Sequence, residues 1–210
     1  QIAMMQSQLN PHFLYNTLDT MKWVAKANHI PEIATLAAKL AKILRTSISS
    51  AQFITLQEEM TLVESYAKIQ KIRFNGKFDF RYEIAPETEE ILVPKLIVQP
   101  IVENAVIHGM AEKIRIRVDA GKHRVRFSVS DDGAGIPQEK LEHLCGDYME
   151  LADTSSGDKK HNMGIGLIVC RDIIKVHGGN FEGRNQLEGG MEFWFTLPLK
   201  EERQYGGHKG

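Results

Sequence analysis

Up to Ile72 the apolar residues of this chain recur at helical spacing, and just past the Asn75-Gly76 turn they alternate as Phe78, Phe80, Tyr82 and Ile84. That change of period constrains the fold more than any other feature. A stripe repeating every 3.6 residues does not fit a strand, and an alternating one does not fit a helix. The chain therefore joins a helical N-terminal portion to a portion containing a sheet. With 210 residues, 42% of them hydrophobic, it is long enough for one compact core and an appendage.

Within 9–27, Leu14, Leu18, Met21 and Ala25 form one helical stripe, and His12, Asn16, Asp19 and Trp23 form its neighbour. The break Ala27-Asn28-His29-Ile30-Pro31 reads as a tight turn, with Pro31 suited to the first turn of a second helix. That helix carries Ile33, Leu36, Ala37, Leu40, Ile43, Leu44 and Ile48 on its apolar side. Two helices so joined predict an antiparallel hairpin. A hairpin has too little core by itself, so pairing with a second copy as a four-helix bundle is expected. Pro11 either opens the first helix, capped by Asn10, or kinks it just before His12, since proline inside a helix costs ~3 kcal/mol.

Thr55-Leu56-Gln57-Glu58 has the capping-box pattern and starts a third helix, reaching about residue 72. Pro94 is expected to open an apolar helix over 95–108. Strands follow over 114–120 and 124–130, then a short helix, a polar loop, a helix over 165–176 and strands over 180–186 and 191–199. The predicted fold class is α+β: a helical hairpin followed by a two-layer α/β sandwich with a mixed sheet. The expected divisions are 1–54 for the dimerising hairpin, 55–200 for the sandwich and 201–210 for a flexible tail.

With 26 basic and 27 acidic side chains the formal charge is -1, which offers no footprint for nucleic acid. Cys145 and Cys170 do not make a disulfide framework, and no paired Cys/His spacing suggests zinc. No apolar run approaches the ~20 residues of a membrane-spanning helix, and there is no signal peptide. The chain opens on Gln1 and enters a helical pattern at once, which predicts an upstream portion in the full protein.

Three constellations carry chemistry. Glu103 and Asn104 put a carboxylate and an amide into an apolar helix, with Asn104 and His108 on one face and Ile97, Ile101 and Val102 toward the core. Such groups need partners. A magnesium–phosphate complex is one, with Asn104 as a hard oxygen ligand and Glu103 as proton acceptor; a water-exposed helix edge is the other. Asp131-Asp132-Gly133-Ala134-Gly135-Ile136-Pro137 directly follows a strand. Its glycines allow close approach to a flat ligand, and Asp131 can accept from an exocyclic amine, although an Asp-Gly turn also serves simply to leave a strand. Gly164-Ile165-Gly166-Leu167 begins a helix after a polar stretch and offers free backbone donors to a phosphate, or is an ordinary helix start.

That order of segments resembles the ATP-binding domain of the GHKL superfamily, which groups sensor kinases, gyrases, MutL proteins and heat-shock chaperones. The segment Gln8-Leu9-Asn10-Pro11-His12-Phe13-Leu14-Tyr15-Asn16 resembles the phosphoacceptor motif of LytS/YesM-type sensor histidine kinases, as does Pro94-Lys95-Leu96-Ile97-Val98-Gln99-Pro100. The likeness runs from Gln6 to Leu199. It implies a cytoplasmic, ATP-dependent kinase core that works as a homodimer, uses Mg2+ and joins a membrane through an upstream segment. It would autophosphorylate on His12 and pass the phosphoryl group to the receiver-domain aspartate of a response regulator.

In that scheme Glu103 deprotonates or polarises the acceptor, and Asn16 positions water for phosphate removal from the partner. Asn104 ligates magnesium, and His108 contacts phosphate. Asp131 reads the adenine amine in a pocket shaped by Gly133, Gly135 and Ile136. Gly164, Ile165, Gly166 and Leu167 cradle the phosphates. Departures from the family pattern include Phe13 after the histidine, where many sensor kinases have an acid, and Asp132 where Asn is frequent. Met191 stands where Thr is frequent, and Asn162 where a glycine is expected. Two other readings are an ATPase that hydrolyses ATP to drive conformational change, and a non-catalytic nucleotide-sensing dimer.

Overall fold

The computed structural model describes residues 11–107, 111–146 and 165–199. Its contacts cluster into two compact units, one formed up to Asp79 together with Leu92–Gln99, the other by Phe80–Ile91 and the residues from Pro100 onward. This division keeps the third helix with the hairpin, because that helix packs against the second. Each unit is described by itself.

In the first unit, α1 (Pro11–Ala27) and α2 (Pro31–Ile48) form the antiparallel hairpin. His29 takes φ 57 in the turn, and Pro31 sits in the first turn of α2. Their contact is made by small residues: Ala25, Ala34 and Ala37 are buried, which lets the two backbones approach. Several larger apolar side chains remain exposed. Met21 of the expected stripe is exposed, as are Phe13, Trp23, Val24, Ile33 and Leu40. The choice at Pro11 between helix start and kink turns on residues outside those described.

Next comes α3 (Leu56–Arg73), opened by the expected capping box. Thr55 Oγ1 accepts from Glu58 N–H at 3.1 Å, and Glu58 Oε2 accepts from Thr55 N–H at 3.1 Å. This helix is buried on several sides, with Leu56, Met60, Leu62, Val63 and Ala67 in the core beside Glu59. Just ahead of it, β1 (Phe53–Thr55) pairs antiparallel with β3 (Leu92–Pro94). That small sheet overturns the expectation that Pro94 opens a helix. Pro94 instead ends β3 opposite Phe53, and α4 covers only Gln99–Ile107.

The intervening turn has a physical cause. Leu96 takes φ 60, which interrupts a helix, and its N–H donates to Glu59 Oε2 at 2.7 Å. Val98 N–H donates to Glu59 Oε1 at 2.9 Å. Both carboxylate oxygens are thus spent on backbone donors just ahead of α4, as a side-chain cap would do. Lys95 reaches the other way, its Nζ donating to the carbonyls of Thr46, Ser47 and Ser49 at the end of α2. A cation there also favours the helix C-terminus.

The second unit holds a five-stranded sheet built from β2 (Asp79–Ile84), β4 (Lys113–Ala120), β5 (Arg124–Asp131), β6 (Asn180–Asn185) and β7 (Met191–Pro198), in the order β2-β4-β5-β7-β6. Pairs β4–β5, β5–β7 and β7–β6 are antiparallel. Burial alternates strictly along β4, β5 and β7, so one face is core. Ile114, Ile116, Val118, Val125, Phe127, Val129, Phe193, Phe195 and Leu197 fill it, with Phe127 and Phe195 stacked at 4.5 Å between centroids. Helices α5 (Gln138–Cys145) and α6 (Ile165–Val176) pack against β6, and α6 also against β7. On the opposite face Trp194 lies between the guanidiniums of Arg126 and Arg184. The α+β sandwich read from the sequence is the fold found. Among the described residues no helix is long and apolar enough to cross a membrane.

Glu59 is fully buried, and that burial lifts its carboxyl to about 6 even though backbone donors at 96–99 pull it down. The sign follows from linkage. Below about pH 6 the folded chain takes up a proton that the unfolded chain accepts only near 4.5, so this group's contribution to stability rises as pH falls from 7 to 5. The expected size is about 1 kcal/mol between these two pH values, the full ~2 kcal/mol being reached only well below 4.5. Denaturant titrations at both pH values should show this component in the wild type and lack it in Glu59→Gln. Equal pH dependence in the two proteins would contradict the assignment.

Candidate functional site

Two groups of functional side chains are in view, one in each unit. On α1, His12 and Asn16 lie one helical turn apart, with Asn16 Nδ2 3.2 Å from His12 Nδ1. An amide nitrogen only donates, so in this orientation Nδ1 accepts and the ring proton sits on Nε2. Turning the amide about its last torsion presents the oxygen instead, moves the proton to Nδ1 and leaves Nε2 as the bare nitrogen. Either arrangement fixes the ring plane. Both residues are exposed, and so is Phe13.

In the second unit, Glu103 and Asn104 are consecutive on α4, so their side chains diverge by about 100°. Glu103 is exposed, whereas Asn104 is buried among Ile101, Val102, Ala105 and Val106. Asn104 Oδ1 is shielded from solvent and has no hydrogen-bond partner among the described residues. A buried amide oxygen left so costs about 1–3 kcal/mol. Its chemistry, a hard neutral oxygen, suits Mg2+.

Asp131 ends β5 and is 6% exposed. Its Oδ1 accepts from Gly133 N–H at 2.9 Å and Met191 N–H at 3.3 Å. Burial raises its carboxyl above the ordinary range; those two donors oppose the rise, and the neighbouring Asp132 charge adds to it. Asp132 serves the loop instead. Its Oδ1 accepts from the N–H groups of Glu112 and Lys113 at 2.8 and 2.9 Å, tying the loop to the start of β4. An asparagine oxygen could do the same, so the departure from the family pattern leaves this contact intact.

Gly135 takes φ 76, and a Cβ there would fall 2.6 Å from Asn185 Oδ1. Glycine is therefore required by the turn and by the close approach of Asn185. Ile136 is half-buried, and its N–H donates to Asn185 Oδ1 at 2.9 Å while its carbonyl accepts from Asn185 Nδ2 at 2.8 Å.

At the start of α6, Gly166 is exposed, and among the described residues a Cβ there would touch Pro100 Cβ alone, at 3.4 Å. Leu167 is 1% exposed, so its side chain belongs to the core and only its backbone is available to a ligand. Ile165 begins the helix. His108 and Gly164 lie outside the described residues, as does Asn162.

The fold thus brings Asp131, Gly133, Gly135 and Ile136 into one loop, and His12 against Asn16. Nothing in the residue order singles out Asn185 and Gln186, which grip that loop. Amides at a strand end are common, and only the register of β5, β6 and β7 reveals their targets.

Residues 90–201 match the family described as histidine kinase-, DNA gyrase B- and HSP90-like ATPase, and residues 1–78 match the histidine kinase family. Sensor histidine kinase YesM of Bacillus subtilis is 33% identical over 96% of this chain and 34% of its own length. Sensor histidine kinase/phosphatase LytS of Staphylococcus aureus is 25% identical over 97% of this chain and 35% of its own. This chain therefore spans about one third of the length of these relatives. Among solved structures, the catalytic domain of histidine kinase ThkA in a nucleotide-free form aligns with TM-score 0.53 and 27% identity, over 70% of this chain and 94% of that one.

Asn104 and Asp132 should respond oppositely to truncation. Asn104→Ala removes an oxygen that no described protein group satisfies, so stability should hold to within about 1 kcal/mol. Asp132→Ala frees two exposed backbone donors that water can meet, so the loss of its two hydrogen bonds should cost about 1–2 kcal/mol. Denaturant unfolding of the two variants checks this. A loss for Asn104→Ala as large as that for Asp132→Ala would mean that its oxygen is bound within the fold.

Proposed function

We propose that this chain, a member of the histidine kinase-, DNA gyrase B- and HSP90-like ATPase family, is the kinase core of an ATP-dependent sensor histidine kinase. It phosphorylates His12 and hands the phosphoryl group to an aspartate of a response regulator's receiver domain. The observation that carries this reading is the buried Oδ1 of Asn104, without a partner among the described residues, on the same helix as the exposed Glu103, in a unit whose sheet also ends on the buried Asp131. An apolar helix retains such an oxygen where a ligand completes it.

Asp131 accepts from the adenine amine, and Gly133, Gly135 and Ile136 form the pocket wall. The backbone at Gly164, Ile165, Gly166 and Leu167 holds the phosphates, with His108 as a further contact. Asn104 ligates Mg2+, which, when bound, neutralises phosphate charge and orients the triphosphate. The unprotonated imidazole nitrogen of His12 attacks the γ-phosphorus. The bond from that phosphorus to the bridging oxygen breaks, and ADP leaves with the electron pair. Glu103 takes the imidazole proton, and Asn16 holds the ring plane beforehand and positions water when phosphate is removed from the regulator.

The functional divisions of this reading are 1–54 for the phosphoacceptor hairpin, 55–200 for the catalytic domain and 201–210 for the tail. The hairpin pairs with a second copy, which covers the exposed side chains of Phe13, Met21, Trp23 and Leu40. The core works in the cytoplasm and is attached to a membrane through a segment upstream of the hairpin.

Incubation with γ-labelled ATP and magnesium should give an acid-labile phosphoryl group in the wild type and none in His12→Gln. Asn104→Ala should lower labelling by about 100-fold or more while the fold persists. Undiminished label in His12→Gln would end the kinase reading. Phosphate release without protein labelling would select the conformational ATPase, and binding of an ATP analogue with neither reaction would select the nucleotide sensor.

Single substitution at Gly166 separates packing from ligand contact. Because among the described residues a Cβ there meets Pro100 alone, at ordinary contact distance, Gly166→Ala should melt within a few degrees of the wild type. Its nucleotide affinity should fall about tenfold through crowding of the phosphate-facing backbone. Unchanged affinity would place the phosphates elsewhere.

A further inference from the structure

The loop from Asp131 to Ile136 is held at both ends by two consecutive side chains of another strand. Asn185, the last residue of β6, forms a reciprocal amide pair with the backbone of Ile136 at 2.9 and 2.8 Å. Gln186, the next residue, donates its Nε2 to the carbonyl of Asp131 at 2.8 Å and to that of Met191 at 3.0 Å. The last backbone pairs of this region are Ser130 with Glu192 and Asn185 with Met191. Gln186 therefore continues the sheet past its final rung, bridging the ends of β5 and β7 with a side-chain amide.

The neighbourhood of Asp131 is closed on a second side. Gly190 has φ 86 and lies so near the Asp131 carbonyl that an added Cβ would collide with it. Met191, whose carbonyl Gln186 binds, is the residue whose N–H holds Asp131 Oδ1. The Asp131 carboxylate is thus oriented by a residue, Met191, whose carbonyl the Gln186 side chain holds. The backbone freedom of the surrounding glycines would otherwise blur that orientation.

We infer that Asn185 and Gln186 are positioning residues that set the purine specificity of the pocket, Gln186 by holding the backbone of Asp131 and Met191 on either side of the carboxylate and Asn185 by holding the far end of the loop at Ile136. The inference rests on the adenine-binding reading above and extends it. Adenine offers an amine at its 6-position, and guanine offers an oxygen at the same place. A carboxylate that cannot turn accepts from the first and repels the second; one that can turn loses that distinction. Rejection of a base that fails to satisfy a fixed buried polar group is large, and loosening the group erodes it.

The test uses non-hydrolysable ATP and GTP analogues with magnesium, titrated into wild type, Gln186→Leu and Asn185→Ala, with melting curves alongside. Gln186→Leu keeps bulk and deletes both donors. Asn185 is exposed, so Asn185→Ala remains folded if Gln186→Leu does not. The expected result is a fall in the ATP-to-GTP affinity ratio of about tenfold in each folded variant, with GTP affinity unchanged or raised. Equal losses for both nucleotides, or an unchanged ratio, would overturn the inference while leaving the adenine reading in place. A wild type that binds ATP and GTP alike would overturn it as well. A wild type that binds neither would sink the nucleotide reading itself, and this inference with it.

Discussion

The buried carboxylate of Glu59 decides where the fourth helix begins. The sequence over 95–108 is apolar enough to be helical throughout, yet the first four residues turn outward to meet that carboxylate. Leu96 adopts a left-handed conformation to do so, a strained choice for a branched side chain without compensation. Two charge-assisted hydrogen bonds, each stronger than a neutral one, supply it. Lys95, in the same turn, holds the end of α2. One short stretch between β3 and α4 thereby fixes the end of one helix and the start of another, and with it the register at which Glu103 and Asn104 follow.

At the far edge of the second unit the governing constraint is how an antiparallel sheet ends. Strands β5 and β7 run out at Asp131 and Met191, where backbone groups lose their ladder partners. Side chains take over: Asp131 binds Met191 N–H, Gln186 binds two carbonyls, Asn185 binds both polar groups of Ile136, and Asp132 reaches back to β4. A loop rich in glycine becomes well defined because nearly every bond it makes is to a side chain anchored in a strand. That is also what a flat ligand needs, since glycine opens the space and the anchors hold its edges.

Much of this was legible from residue order. The capping box at Thr55 and Glu58, the tight turn before Pro31, the alternation in β4 and β5 and the full extent of α6 all follow from local chemistry. The short β1–β3 sheet and the late start of α4 were not, because both are set by partners about forty residues distant. Pro94 illustrates the difference. Its ring suits a first helical turn, but it suits the end of an edge strand equally, and only Phe53 opposite it decides. Met21 and Trp23 show the same limit in the hairpin. Helical spacing puts Met21 in one stripe with Ala25, yet Ala25 is buried and Met21 is exposed. The motif residues of the site were visible by type, and the side chains that orient them were not.

Two polar groups in apolar surroundings show how structure and site are told apart. Glu59 is fully buried, and both of its oxygens end on backbone donors. Asn104 is almost as buried, and its oxygen ends on nothing among the described residues. By burial alone the two look alike, each a polar side chain among buried apolar ones. Their physical position is opposite. A charged group that is fully satisfied holds a turn in place, and a neutral oxygen that is not satisfied leaves a bond to be made. An orphaned acceptor in a helix whose other buried residues are aliphatic or alanine calls for a partner beyond the described residues. A hard cation carrying phosphates meets that need, and an apolar side chain at the same place would serve the fold better if nothing did.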